Sequence, residues 1–302
     1  MNLKRGFLAL AAMILGVGFF GASQAHAACP PTAVLRLTPP TTTWNTWPDN
    51  SHMWYCGPLS PTTDGGGTND VRQRAVSASD SMNSQPVGQQ PKLRFLFTFG
   101  VNGSGAVNVY KFDDWNTAKT FFGINPPLPV QGTPLGYTTG VTESASHPGI
   151  NVIVLNQLTA QGAVDHTKIG RITNHEMGHA VDRVYGGSAG ALPSLNPNSN
   201  YNINLTVDRN NFNALTESQA FSAYGGVPGN CWPGDLTKSN WQKLQCKWPS
   251  LAGNDSEFFA SVFGAIVPGG LTEPQLTNLI NQKFTNTRDY MQNLRSVVTQ
   301  SP

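Results

Sequence analysis

The stretch Asn174-His175-Glu176-Met177-Gly178-His179-Ala180-Val181-Asp182 decides how the rest of the chain is interpreted. In a helix, positions i, i+4 and i+7 share one face, so His175, His179 and Asp182 align, with Glu176 about 100° round from His175. Two imidazoles one turn apart can hold one metal ion from the same side. A glutamate beside that ion can take a proton from water. The spacing therefore predicts a zinc-dependent hydrolytic site with Glu176 as its base.

The sequence around this motif predicts one continuous helix. Asp165 is a suitable N-cap and Gly186-Gly187 a suitable stop. Between them, apolar residues recur at helical spacing, at Ile169, Ile172, Val181 and Val184. Gly178 costs about 1 kcal/mol relative to Ala in mid-helix, so its presence predicts that another segment packs close to the backbone there. The alternative is a surface helix with two solvated histidines.

The N-terminus predicts export. Lys4 and Arg5 precede an apolar run, and Ala25-His26-Ala27 is a small-x-small cleavage site, so residues 1–27 are interpreted as a signal peptide. The apolar run is too short for a membrane span, and no later segment approaches one. The expected location is outside the cytoplasm, extracellular or periplasmic. A lipid anchor on Cys29 is the alternative, although the residues before it do not form a lipobox.

Charge and cysteine content fit an exported protein. Loss of residues 1–27 reduces the 19 Lys and Arg to 17, equal to the 17 Asp and Glu. Such a balance does not favour nucleic acid or an anionic membrane as partner. The even number of cysteines predicts two disulfides. Proximity favours Cys29–Cys56 and Cys231–Cys246; a zinc-masking role for Cys56 is a weaker alternative.

The predicted fold class is α+β, with a small N-terminal sheet, the active-site helix and a helical C-terminal lobe. Residues 28–91 are rich in Pro, Thr and Ser and are expected to form an irregular, disulfide-pinned region. Residues 92–302 are expected to form the catalytic domain. The expected elements are a hairpin over 93–99 and 106–112, a helix from the Asp113 cap through Phe122, a strand over 151–156 at a sheet edge, and helices over 214–224, over 254–264 and from 272 onwards. Residues 123–149 and 187–213 are expected to be loops.

A catalytic zinc needs a third protein ligand. Asp182 is on the same straight helix as both histidines, so it is better interpreted as an acceptor behind a ligand or as a helix salt-bridge partner. Glu257 is the favoured third ligand, because a face of small residues beside it would let its helix approach the zinc helix. A capping box with Asn254 is the alternative role of Glu257. Glu217 is the rival ligand.

Two blocks carry a family resemblance: His-Glu-Met-Gly-His-Ala-Val-Asp with Tyr185-Gly186, and Ser-Glu-Phe-Phe-Ala around Glu257. They resemble the lethal-factor-like zinc metallopeptidases, which include the bacterial Pro-Pro endopeptidases. The resemblance implies a zincin-like endopeptidase with one catalytic Zn²⁺, ligands His175, His179 and Glu257, and Glu176 as general base. Two positions depart from that family. Ser261 replaces a glutamate, and Ser250 replaces an oxyanion-stabilising tyrosine, for which Tyr185, Tyr201 and Tyr224 are the possible substitutes.

The sequence therefore predicts a secreted, monomeric zinc metalloendopeptidase acting on proteins or peptides. The strand over 151–156 is expected to hold an extended substrate by strand addition. The alternatives are a secreted binding or toxin-accessory protein that keeps a zinc site with little or no activity, and a zinc hydrolase that does not cleave peptides.

Overall fold

The computed structural model describes residues 107–124, 135–140, 143–145, 149–186, 192–223, 238–248, 255–267 and 274–297, together with 35–36, 54–55, 67, 70–71, 73–75 and 78. This part is mixed α+β and mostly helical. The predicted signal peptide, the predicted strand over 93–99, and the cysteine side chains with the two predicted disulfides lie outside the described residues. No helix within those ranges combines the length and apolar character needed to cross a membrane.

Within the described residues, the main sheet has three strands in the order β3-β5-β4. Strand β5 (Ile150–Leu155) pairs in parallel with β3 (Val107–Phe112) and antiparallel with β4 (Gly136–Thr138). Two shorter strands, β1 (Leu35–Arg36) and β2 (Trp54–Tyr55), form a separate antiparallel pair. Every residue of β5 is buried, as expected for a central strand with both faces covered.

Helices cover both faces of this sheet. Helix α1 (Trp115–Phe122) packs on one face, where Ile153 and Leu155 join a small aromatic core. On the other face, Ile150, Val152 and Val154 belong to the main core, which also contains residues of the long helix α2 (His166–Gly186). The alternation follows from the two-residue period of a strand. The sheet thus fixes α2 against one face.

The remaining helices assemble around α2. They are α3 (Asn200–Asn213), α4 (Glu217–Ala223), α5 (Asn240–Lys247), α6 (Asp255–Ile266), α7 (Pro274–Lys283) and α8 (Thr285–Val297). Phenylalanines of α6 fill the middle of this core, where Phe258 stacks edge-on against Trp241 and Phe259 contacts Tyr201. Asp208 of α3 lies at the start of α8 and accepts hydrogen bonds from the Thr287 backbone N–H and hydroxyl, both at 2.7 Å.

Several local predictions are confirmed. Asp165 Oδ1 accepts a hydrogen bond from the Lys168 backbone N–H over 2.9 Å, so Asp165 caps α2 as expected. Gly123 ends α1 in the left-handed conformation. The cap of α1 is Asp114, one residue later than predicted. Helix α6 spans Asp255–Ile266 and so contains residues 255–264 of the helix predicted over 254–264.

The predicted position of the strand over 151–156 is wrong. It was expected at a sheet edge, but β5 lies between β3 and β4. A peptide cannot be added to β5, because both of its hydrogen-bonding sides are occupied. Among the described strands, β3 and β4 lie at the edges of the sheet, and β4 falls in a segment predicted to be a loop. Its Gly-Tyr-Thr sequence is too short to show an alternating pattern.

Other helices differ from the prediction. The segment 187–213 was expected to be a loop, yet α3 begins at Asn200, capped by Ser199, and buries Tyr201, Leu205 and Phe212. The many Asn residues of this segment favour a loop prediction, although the apolar residues among them lie on one face of a helix. Helix α4 begins at Glu217 rather than at residue 214, and the expected C-terminal helix is divided into α7 and α8 at Phe284.

Part of the predicted irregular region belongs to the main core. Among residues 28–91, Val71, Ala75 and Ala78 have helical backbone and no exposed surface. They pack in the same core as α2 and α6. Some of this N-terminal region is therefore integrated with the domain predicted to begin at residue 92.

Candidate metal centre

The site is formed where α2 and α6 pack against each other. A Cβ atom at Gly178 would lie 2.6 Å from Cα and 2.8 Å from the carbonyl oxygen of Ala260. Only glycine allows this approach, which confirms the expectation that another segment packs close to the backbone at Gly178. His175 contacts Ser261 and His179 contacts Ser256, so the two helices run antiparallel.

This packing brings together His175, His179 and Glu257. His175 Nε2 lies 3.0 Å from Glu257 Oε2, and His179 Nε2 lies 3.4 Å from Glu257 Oε1. Each of the three residues offers a ligand atom within 4.8 Å of those of the other two. Of the predicted third ligands, the structure thus places Glu257 beside the histidines.

These donors fit a zinc ion. At Zn–N and Zn–O distances of about 2.1 Å, neighbouring ligands of a tetrahedral site are about 3.4 Å apart, close to the two separations around Glu257. Two imidazoles and one carboxylate are a donor set typical of catalytic zinc. The side chains of His175, His179 and Glu257 are 24 %, 13 % and 32 % exposed, so the centre can be reached from solvent. Three residues of this chemistry can hold zinc and leave a fourth position open.

The opposite nitrogens of the imidazoles face serine hydroxyls. His179 Nδ1 lies 3.2 Å from Ser256 Oγ, and His175 Nδ1 lies 3.4 Å from Ser261 Oγ. Hydrogen bonding at Nδ1 leaves Nε2 as the ligand atom. Ser261, which replaces a glutamate of the resembled family, is thus a neighbour of a ligand.

Glu176 is buried beneath the edge strand. Thr138 Oγ1 lies 2.8 Å from Glu176 Oε2. A Cβ atom at Gly136 would lie 2.8 Å from both Cγ and Oε1 of Glu176. Glycine at position 136 therefore makes room for the glutamate, and Thr138 holds one of its carboxylate oxygens.

The site carries opposed electrostatic effects. Burial alone would lower the pKa of His175, but the hydrogen bond and charge of Glu257, with the charge of Glu176, raise it above its usual value. Burial raises the pKa of Glu176, against the opposing charges of His179 and His175. Burial would also raise the pKa of Glu257, yet its hydrogen bonds to both imidazoles lower it. Glu257 is therefore ionised, as a metal ligand must be.

Asp182 and Glu217 have other neighbours. Asp182 is fully buried and accepts hydrogen bonds from Ser194 and Ser256. Burial raises its pKa, while the Ser194 hydrogen bonds oppose that effect. Glu217 Oε1 lies 3.0 Å from Lys243 Nζ, in an ion pair between α4 and α5, and is not a member of the group around Glu257.

Of the three tyrosines considered for the oxyanion, Tyr201 is described with its side chain. It is fully buried, and its hydroxyl lies 3.5 Å from the Asp255 carbonyl oxygen. The side chains of Tyr185 and Tyr224 lie outside the described residues, as does Ser250.

Sequence reasoning missed Thr138, Ser256 and Ser194. No sequence pattern indicates Thr138, because its three-residue strand lies in a segment predicted to be a loop. Ser256 directly precedes the favoured ligand Glu257, and that adjacency was the available clue. Ser194 lies in a turn after α2, and no local pattern links it to Asp182.

Comparisons with protein-family models, with curated proteins and with solved structures found no match for this chain.

Proposed function

We propose that the chain is an exported, monomeric zinc metalloendopeptidase with a zincin-like fold, related to the lethal-factor-like peptidases that it resembles. The observation that carries the proposal is the convergence of His175, His179 and Glu257 beside a buried Glu176. Two helices supply the three ligands, and the edge of the sheet lies over the base. A protein or peptide is the expected substrate.

Each residue has a distinct role in the proposed reaction. A zinc ion held by His175, His179 and Glu257 supplies Lewis-acid polarisation of a carbonyl and activation of water. Glu176 takes the proton of the attacking water and passes it to the departing amine. The Thr138 hydroxyl lies 2.8 Å from Oε2 of Glu176 and helps to hold the carboxylate in place. The raised pKa of Glu176 brings it closer to the range in which a carboxylate can both accept and return a proton.

Strand β4 offers the substrate a backbone edge. Thr139 N donates to Asn151 O, and Leu155 N donates to Leu135 O, so residues 135, 137 and 139 point their backbone groups towards β5. Gly136 and Thr138 therefore point theirs to the opposite side, where no strand of the described chain pairs.

On that side, the Thr138 carbonyl already accepts a hydrogen bond from Arg183 Nη2 over 2.8 Å. An extended peptide would therefore pair with Gly136. Because Gly136 packs against Glu176, a peptide paired there would pass beside the general base.

The test uses protein beginning at residue 28, as wild type and as Glu176→Gln. A quenched-fluorescent library of extended peptides is the probe, and zinc content is measured on the same samples. Glu176→Gln should retain about one zinc per chain and lose cleavage by about 10²-fold or more. Glu217→Gln is the matched control, because it makes the same chemical change at the Lys243 ion pair and should cleave like wild type. Cleavage that survives in Glu176→Gln would refute the assignment of the base.

The second candidate is a zinc-containing binding or toxin-accessory protein with little or no activity. It is favoured by Ser250 at the position of the oxyanion-stabilising tyrosine and by the burial of Tyr201. Wild-type protein that holds zinc but cleaves no peptide of the library would support this candidate over the peptidase.

A further inference from the structure

The hydroxyl of Ser256 lies next to Nδ1 of His179, and the buried carboxylate of Asp182 lies next to that hydroxyl. Ser256 Oγ lies 3.2 Å from His179 Nδ1 and 3.2 Å from Asp182 Oδ2. Asp182 has no exposed surface. Its Oδ1 accepts a hydrogen bond from the Ser194 backbone N–H over 3.1 Å, and its Oδ2 accepts one from the Ser194 hydroxyl. The three residues form a continuous chain from the ligand to the turn after α2.

The direction of these hydrogen bonds follows from proton counting. The Asp182 carboxylate receives three donors, the Ser194 backbone N–H at Oδ1 and the hydroxyls of Ser194 and Ser256 at Oδ2, and a serine hydroxyl has one proton to donate. Ser194 and Ser256 therefore both donate to Asp182. The oxygen of Ser256 then has only lone pairs to offer, so the hydrogen in its bond with His179 must be on Nδ1. Nε2 of His179 keeps its lone pair, and Nε2 is the atom that faces Glu257 at 3.4 Å.

We propose that Asp182 and Ser256 are positioning residues, which hold His179 in the tautomer and ring orientation that bind zinc through Nε2; this role rests on the zinc site of the proposed function. Asp182 acts through Ser256 and makes no hydrogen bond to the imidazole in the described structure. In other zinc sites a carboxylate commonly accepts directly from the ligand imidazole. Here one hydroxyl separates the two groups.

The asparagine variant of Asp182 provides a sharp test. The Ser194 backbone N–H needs an acceptor at Oδ1, so the amide oxygen of Asp182→Asn will occupy that position and the NH₂ group will occupy the position of Oδ2. The NH₂ group then donates to Ser256, whose proton is redirected to His179 Nδ1. This favours hydrogen on Nε2, the atom that must bind zinc. A nearly isosteric change two hydrogen bonds away should therefore weaken zinc binding.

The experiment measures zinc affinity by competition with a chromophoric chelator for wild type, Asp182→Asn, Ser256→Ala and Ser256→Thr. Ser261→Ala is the matched control, because it removes the hydroxyl that faces the other imidazole at 3.4 Å. The visible spectrum of the cobalt-substituted proteins reports ligand geometry. Unfolding of the zinc-free proteins shows whether any variant has lost its fold.

We expect Asp182→Asn and Ser256→Ala to bind zinc about tenfold more weakly or worse, with an altered cobalt spectrum and a zinc-free fold that remains intact. Ser256→Thr, which keeps the hydroxyl, should bind zinc like wild type. Ser261→Ala should weaken zinc binding less than Ser256→Ala does. Folded Asp182→Asn or Ser256→Ala that binds zinc within twofold of wild type would overturn the positioning role. If wild type binds zinc but cleaves no peptide, the peptidase proposal fails while the affinities still decide this one. If wild type binds no zinc, both are overturned.

Discussion

Gly178→Ala tests whether the contact between α2 and α6 builds the metal centre. In an isolated helix this change would stabilise by about 1 kcal/mol. Here the new Cβ would lie 2.6 Å from Ala260 Cα and 2.8 Å from Ala260 O, whereas carbon atoms in ordinary contact are about 3.5–4.0 Å apart. The obstructing atoms are backbone, so no change of rotamer relieves the overlap and one helix must shift by about 1 Å.

The magnitude follows from two opposed effects. Overpacking of a tightly packed core costs about 1–3 kcal/mol, and a backbone obstruction belongs at the upper end of that range. After subtraction of the helix-propensity gain, Gly178→Ala should lower the free energy of unfolding by about 2 kcal/mol. For a chain of this size, such a loss lowers Tm by about 4–8 °C. Because Glu257 is one turn from Ala260, the same shift should weaken zinc binding.

The assay is urea unfolding of zinc-free protein, followed by zinc titration. Asn211→Ala, at an exposed position of α3, is the control that reports helix propensity without a packing conflict, and it should leave stability unchanged or slightly increased. Ala260→Gly in the Gly178→Ala background should not restore stability, because it removes a side chain and leaves the obstructing Cα and carbonyl in place. A Gly178→Ala protein as stable as wild type, with unchanged zinc affinity, would refute the reasoning.

Two further predictions concern the contact between α3 and α8 and the pH dependence of the metal centre. Asp208→Ala should lower the free energy of unfolding by about 2–4 kcal/mol. The change leaves buried donors at the start of α8, including the hydroxyl and N–H of Thr287, without their acceptor. Urea unfolding measures the loss, and a change below about 0.5 kcal/mol would contradict the prediction. Zinc affinity should fall as pH decreases, because protons compete for the imidazole ligands. The interaction with Glu257 raises the pKa of His175, so this competition should begin at a higher pH than for an ordinary histidine. Competition with a chelator between about pH 5 and 8 measures the zinc affinity, and an affinity that does not change with pH would contradict the prediction.

The sequence by itself determined the local chemistry. The spacing of His175, Glu176 and His179, the Asp165 cap and the small face beside Glu257 are all encoded within one or two helical turns. The packing at Gly178 was predictable as well, because a glycine in mid-helix signals a close neighbour. These features share a physical basis, since a helix fixes the relative directions of residues three and four apart.

The tertiary structure alone decided which remote segments meet. An apolar run shows that β5 is buried, but its neighbours depend on the pairing of distant strands, which places β5 between β3 and β4. Likewise, Thr138 meets Glu176 from 38 residues away in the sequence. Ser256 lies between His179 and Asp182, which are 77 and 74 residues before it. Such contacts arise from the packing of whole elements, and no local period in the sequence records them.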